Sequence, residues 1–449
     1  MNNSIPDGRV GNLTPEQEAK LRELWQAVFK LYDILLEWNR KKDTEAPAAP
    51  KVEAPKKSRW FGLGAAQAEP VAPEVPEEAL KLIDCGDTDK YGLSKQFQQV
   101  IATQTSQSLR AMVLGAIKHE HPDAVVLRFL RARKWDVNKA LVMMFSAMNW
   151  RHNEAQIDSD ILTNGEEVLV RDEHDGKIKS KCLAQDFMKQ MRNGKSFIHG
   201  FDRQNRPVSY VRTKMHRAAD QSVESLERYT VYLIETARMT LHPSVETATL
   251  VFDLTDFTLA NMDYVPVKFI IKCFEANYPE SLGSILIHNS PWVFKPCWKI
   301  ISAWLDPVVA SKVHLTYGAK GLEEFIHPSQ LLKEHGGEDD WEYKYEEPIP
   351  GENDAMKDTA TRDALLKERQ DFAQQFEDAT RQWIQNPEGT QAASLKQERE
   401  SIAVSLRENY WKLDKYIMEK NAAAADTSTG SIEPVENATI TAASAEIAA

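Results

Sequence analysis

Cysteine is scarce in this sequence: four among 449 residues, at Cys85, Cys182, Cys273 and Cys297. No two share the close spacing of a metal-ligand or redox pair, so they read as reduced thiols in the core. Long apolar runs are missing too. Leu141–Phe145 and Ile285–Ile287 are among the longest, far short of the roughly 20 residues that a membrane-spanning helix needs. Positive charge is not in excess. Sixty-seven acidic residues against 55 basic ones leave a net charge of −12, which argues against nucleic acid as the main partner. Met1–Val10 lacks the basic-then-apolar order of a secretory signal, so a cytoplasmic chain is expected and the sequon at Asn437 is expected to stay idle.

Catalytic signatures are also absent. Gly194-Lys195-Ser196 imitates the end of a phosphate-binding loop, but the glycine required five residues earlier is Lys189. There is no GxSxG elbow, HExxH pair or GxGxxG turn. His119 and His121 have no carboxylate or cysteine at ligand spacing, which reads as surface histidines rather than a metal site. The chain is therefore expected to be no enzyme, with no metal and no cofactor.

What is present is periodicity. Hydrophobic residues make up 42% of the chain, enough for a sizeable core. Over residues 14–40, Leu21, Leu24, Trp25, Val28, Leu31 and Leu35 repeat at helical spacing behind Thr14 and Pro15, predicting an amphipathic helix. Residues 41–80 are rich in Pro, Ala, Lys and Glu and read as a flexible linker, with a basic-aromatic cluster at Lys56–Phe61. From 83 to 155 the pattern is helical. Asp123 and Asp136 are candidate N-caps, and Val137, Ala140, Leu141, Met144, Phe145 and Met148 share one face as core filling.

Strands and helices then alternate between 178 and 340. Ser196–Asp202 and Pro207–Arg212 predict a hairpin. A helix at Glu224–Leu241, a strand at Thr249–Leu254, a helix at Val267–Tyr278 and a strand at Ser284–His288 follow. That order predicts an α/β fold with a mostly parallel sheet and one antiparallel element. Two more helices are expected within 354–420, anchored by Phe372, Phe376, Trp383, Leu406, Trp411 and Leu413. They would dock on the α/β unit or pair with residues 14–40. Residues 421–449 carry no Lys or Arg and read as a disordered tail.

Several phrases fall in one order along the chain. They are Leu127-Arg128-Phe129-Leu130-Arg131-Ala132-Arg133-Lys134-Trp135-Asp136, Asp202–Val208, Phe252-Asp253-Leu254, Asn277-Tyr278-Pro279-Glu280 and Trp304–Lys312, closed by Leu331–Gly337. The set resembles the CRAL-TRIO lipid-binding proteins, in detail the fungal phosphatidylinositol transfer subgroup. The resemblance implies a helical N-terminal subdomain at 83–155 and a lipid-binding domain at 178–340. One phospholipid would sit between a sheet floor and a movable helix and be exchanged at membranes. It also implies headgroup contacts from Lys312, Glu280, Arg133 and Lys134, with Asp202 and Arg206 of the hairpin matching further positions. Chemically the set is apt, because cations neutralise a phosphate and a carboxylate accepts from ring hydroxyls.

The sequence departs from that pattern where related proteins hold choline. The aligned positions are Ile198, Ser209, Ala248 and Leu250, without aromatic rings to face a quaternary ammonium. Poor phosphatidylcholine binding is expected. Trp298, Ile301 and Leu305 share one helical face, flanked by Ile300 and Trp304. Asp306-Pro307 then breaks the helix ahead of Val309, the makings of a hinged apolar gate. Such a lid would cover acyl chains when closed and lie on a membrane surface when open, making the protein a transient, peripheral visitor to membranes. Two further readings keep the fold: a sterol-like, isoprenoid or haem-like cargo, or a lipid-sensing adaptor whose end helices recruit a protein partner.

Overall fold

The computed structural model describes residues 5–45, 75–82, 89–242 and 245–419. Cys85, the Lys56–Phe61 cluster, Asn437 and the expected tail lie outside the described residues, as does most of the expected linker. Helix α1 (Pro15–Glu45) starts at a capping box: the Gln17 amide donates to Thr14 Oγ1 at 3.3 Å, and the Thr14 amide donates to Gln17 Oε1 at 2.9 Å. A single turn, α2 (Glu77–Leu80), precedes α3 (Leu93–Thr103), α4 (Ser106–Ile117), α5 (Pro122–Ala132) and α6 (Val137–Asn149). Asp136 caps α6, taking the Lys139 amide at 3.0 Å. Asp123 does not cap α5. His121 Nδ1 takes the Asp123 amide at 3.0 Å instead, because the buried Asp123 carboxylate is spent on Trp25 Nε1 (2.8 Å) and Arg399 Nη2 (2.6 Å).

Helices α7 (Glu166–Asp175) and α8 (Ile178–Arg192) lead into strands β1 (Ser196–Phe201) and β2 (Pro207–Arg212). Between the strands Asn205 takes the left-handed conformation (φ 60°), and Asp202 Oδ1 accepts from the Gln204 and Arg206 amides at 2.8 and 3.0 Å. Then come α9 (Val223–Met239), β3 (Ala248–Asp253), α10 (Tyr264–Lys272), β4 (Leu282–His288), α11 (Lys295–Ser302), α12 (Pro307–Ala310), β5 (Val313–Thr316) and α13 (Gly318–Glu323). The strands are ordered β1-β2-β3-β4-β5. β1 is antiparallel to β2, and every other pair is parallel, the fold class that the alternation predicts. β5 escapes the sequence reading because Val313–Thr316 is only one short edge. Helix α10 runs into a π-helical turn at Cys273–Asn277 rather than continuing as α-helix to Tyr278.

The last helices among the described residues are α14 (Thr359–Gln385) and α15 (Gly389–Ile417). These pair with α1 and the helical subdomain. One continuous core takes in Leu24, Val28 and Leu31 of α1, Leu141 and Phe145 of α6, and Trp383 and Leu406 of the final pair. Helices α1, α14 and α15, far apart in sequence, thus complete a single bundle. His119 and His121 are not surface groups, being 5% and 8% exposed. The His119 ring lies 4.9 Å from that of Trp411, and burial pushes its pKa down to about 4. Cys273 and Cys297 are buried as expected, whereas Cys182 is exposed.

A buried ionic network joins the bundle to α9. Glu235 on α9 is fully buried and accepts from Arg151 at 2.6 and 3.1 Å, from Arg238 at 3.2 Å and from the Tyr278 hydroxyl at 2.7 Å. Arg238 also donates to Glu120 at 2.7 Å and to the Ala116 carbonyl at 3.0 Å, and Glu120 pairs with Arg128. Burial acts to raise the pKa values of Glu235 and Glu120, but the surrounding guanidinium groups outweigh it and hold both well below the usual carboxylate range.

Removing one member strands the others without counter-charge. We expect Glu235→Gln to lower unfolding free energy by about 3–5 kcal/mol in urea titrations. Both carboxylates have depressed folded-state pKa values, so their contribution is complete above the unfolded value of about 4.3 and fades as pH falls below it. The acid-side loss of stability should be shallower in the variant. Equal urea midpoints for the two proteins would contradict this.

Candidate functional site

Side chains alternate across the sheet and face two different environments. On one face Val208, Tyr210, Val251 and Leu286 pack against Leu322, Ile326, Leu331 and Leu332 in a filled core. On the other face Val211, Leu250, Phe252, Ile285 and Ile287 line a cavity of about 250 Å³. Its remaining walls come from α9 (Leu226, Leu233, Ala237), α10 (Val267, Ile270) with Phe274 of the π-helical turn that follows, and the stretch after β4 (Trp298, Ile301, Leu305, Val309). The strands supply a flat apolar floor because β-branched and leucine side chains recur there at every second residue.

The expected gate residues Trp298, Ile301, Leu305 and Val309 therefore share the hollow. Ile300 faces outward, 45% exposed. The Trp304 ring packs edge-on against Tyr264 at 5.5 Å, with Lys268 over its face at 4.7 Å. Asp306 caps α12 by accepting the Val308 and Val309 amides at 2.7 and 2.9 Å, with Pro307 in the first turn. This break is fastened from outside. Glu275, in the π-helical turn, takes the Asp306 amide at 2.8 Å and pairs with Lys90 and the Tyr91 hydroxyl, each at 2.6 Å. Lys90 also donates to the Trp304 carbonyl at 2.6 Å. Lys90, Tyr91 and Glu275 lie outside the quoted phrases, and no local pattern in the sequence marks them.

Lys312 and Glu280 stand together at the N-terminal ends of β4 and β5. Lys312 Nζ donates to the Leu282 carbonyl at 2.8 Å. Burial lowers its pKa, while Glu280 and then Asp306 pull it back up. Glu280 takes a left-handed conformation (φ 57°). Two cations that the sequence reading passed over, Arg131 and Arg9, are near enough to act on the Lys312 charge. Both hold Glu246, Arg131 at 2.5 Å, and Arg131 also donates to the Gly8 carbonyl at 2.8 Å. Arg131 follows Arg128 by three residues on α5, a spacing that puts both on one helical face and is the signal that could have found it.

Arg133 and Lys134 are placed elsewhere. Helix α5 ends at Ala132. Arg133 is its C-cap and exerts its charge on Asp89. Lys134 (φ 51°) is exposed in a separate surface cleft with Lys20 and Glu23 of α1. Asp202 and Arg206 bond each other at 2.6 Å, and Thr249 Oγ1 donates to Asp202 Oδ2 at 2.7 Å, while Arg206 donates to Ser284 at 3.1 Å. Thr249 and Ser284 alternate with the hollow-facing Leu250 and Ile285, so this cluster pins β2, β3 and β4 on the filled side. Of the aligned choline positions, Ser209, Ala248 and Leu250 line the hollow, and Ile198 is the β1 partner of Ser209.

Comparison with known proteins agrees with this architecture. The family model for the CRAL/TRIO domain matches residues 191–337, and that for the CRAL/TRIO N-terminal domain matches residues 94–145. A CRAL-TRIO domain-containing protein of Schizosaccharomyces pombe, C3H8.02, is 38% identical over 91% of this chain and 89% of its own length. The phosphatidylinositol transfer protein CSR1 of Eremothecium gossypii is 36% identical over 94% of this chain and 98% of its own length. The phosphatidylinositol transfer protein PDR17 of Saccharomyces cerevisiae is 28% identical over 49% of this chain and 59% of its own.

The two faces of β3 offer a direct check on the hollow. Leu250 and Val251 are neighbours on opposite sides. We expect Leu250→Phe to change the melting temperature little, because the larger ring enters free space. Val251→Phe should cost about 1–3 kcal/mol by overpacking. Equal destabilisation by both, measured by thermal denaturation, would mean that both faces are solid.

Proposed function

The chain belongs to the CRAL-TRIO family, and on that premise we propose that it takes up one phosphatidylinositol molecule and transfers or presents it between membranes without chemical change. The observation that carries this reading is an apolar hollow with a cluster of charge next to its lining residues Leu282 and Val313: Lys312 bonds the Leu282 carbonyl and feels the charges of Glu280, Arg131 and Arg9. Arg131 takes the place that the family resemblance gives to Arg133 and Lys134. Asp202 and Arg206 serve by holding the sheet floor rather than by touching the lipid.

The physics is one of exchange. Each acyl CH₂ brought into water costs about 0.8 kcal/mol, which bars a free lipid from crossing the cytosol at a useful rate. A protein wall that replaces the bilayer brings the two bound states close in free energy, so transfer runs either way. The stretch from Trp298 to Val309 is the moving part, with the Asp306-Pro307 break as its hinge. Trp292 and Val308, 79% and 48% exposed, offer apolar contact to a membrane surface on the outer side.

Vesicle-to-vesicle transfer with labelled lipids tests the reading. Wild type should move phosphatidylinositol and little phosphatidylcholine, since Ile198, Ser209, Ala248 and Leu250 put no aromatic ring at the aligned choline positions. Lys312→Ala should reduce phosphatidylinositol pickup about tenfold, equivalent to one charge-assisted hydrogen bond, with its melting temperature preserved. Equal pickup by the two proteins at limiting lipid, or efficient phosphatidylcholine transfer, would contradict the assignment. A sterol or isoprenoid as the dominant bound species would replace it with the other cargo.

A further inference from the structure

The hollow has a polar end about 20 Å, the length of a six-residue strand, from Lys312 and Glu280. Lys312 and Glu280 lie at the N-terminal edge of the parallel strands. Lys195 lies at the opposite edge, because it precedes β1, whose first residue Ser196 pairs with Val211 near the end of β2. Lys195, Ser196, Ser209 and His216 all border the cavity there.

The surroundings of Lys195 are unusual for a buried cation. The residue is 6% exposed, and its ammonium donates to two neutral amide oxygens, Gln190 Oε1 at 3.2 Å and Gln221 Oε1 at 2.9 Å. It makes no ion pair among the described residues. The carboxylates within electrostatic reach are engaged elsewhere. Asp220 is 3.9 Å from Lys189, and Asp263 accepts the Val265 amide at 2.9 Å and faces His216 Nε2 at 3.3 Å. An ammonium has three N–H donors, so one is left over beside the hollow. The Ser196 hydroxyl bonds that of Tyr229, and the Ser209 hydroxyl, which borders the hollow, has no hydrogen-bond partner among the described residues. A buried charge without a counter-charge is costly, and burial pulls the Lys195 pKa down to about 8.

We propose that Lys195, with the hydroxyl of Ser209, forms a second headgroup site for lipids bearing a small acidic group, a carboxylate or a phosphate monoester, whose chain lies along the β2–β3 floor. The site supplies a positive charge and a hydroxyl donor, which match such a group. This assignment rests on reading the hollow as a lipid chamber, and it widens the cargo from a single phospholipid to acidic amphiphiles held in the opposite sense.

The test compares capture of three lipids by the full chain stripped of bound lipid: oleate, dioleoyl phosphatidic acid and phosphatidylinositol, each offered in phosphatidylcholine vesicles. Wild type should take oleate, phosphatidic acid or both, and the arm that responds identifies the acid group. Lys195→Met keeps the stem and removes the charge. It should lower the ratio of acidic-lipid to phosphatidylinositol capture about tenfold, while Lys195→Arg largely retains it. Should Lys195→Met melt early, Ser209→Val takes its place, with a loss of about threefold expected. An unchanged ratio in the folded variant overturns the proposal, as does a wild type that takes phosphatidylinositol but neither acidic lipid. Failure to take any of the three would instead overturn the chamber reading itself.

Discussion

A sheet that is apolar on both faces must be covered twice, and this chain makes only one of the covers solid. On the filled side the residues from Leu322 to Leu332 lie directly on Val208, Tyr210, Val251 and Leu286. On the other side three helical segments stand around a space that their own side chains leave open. An unfilled apolar cavity is costly in proportion to its volume. A guest with hydrocarbon chains removes that cost, so the same constraint that shapes the fold also defines the class of ligand.

An open wall has to be braced from elsewhere, and the helical bundle supplies the bracing. Its contacts are concentrated at two places. One is the buried Glu235–Arg151–Arg238–Glu120 network, which locks α9 to the segments after α4 and α6. The other is Glu275 with Lys90 and Tyr91 at the Asp306 break, where the bundle side grips the hinge of the lid. The first ties a wall of the hollow that is fixed, the second a wall that is proposed to move. Helices far apart in sequence, α1 with α14 and α15, close the bundle around one core, so the residues outside the matched domains contribute to the rigidity on which both contacts depend.

Much of this was legible in the sequence, and the reasons are specific. The strands around Val208, Leu250 and Ile285 and the helix of α1 announce themselves by strong periodicity, and the Asp306-Pro307 break by the chemistry of proline. What was hidden depends on direction and long-range pairing. The phrase around Arg131-Ala132-Arg133-Lys134 carries three cations, but only the point at which α5 ends decides which of them reaches the Lys312 side. Asp202 and Arg206 are close in sequence and in space, yet the strand parity of Thr249 and Ser284 turns them away from the hollow. His119 and His121 look polar and solitary in the sequence. They are buried because α15, nearly 300 residues later, packs over them. Asp123 likewise looks like a helix cap until Trp25 and Arg399 claim its carboxylate.

The proposed function requires lipid chains in the space over Leu250 and Ile285. The most direct measurement is mass spectrometry of the intact protein, purified under native conditions from a eukaryotic host, followed by identification of what dissociates from it. One phosphatidylinositol molecule per chain is the predicted result. A population whose mass equals that of the bare polypeptide, with no lipid released on denaturation, would contradict it.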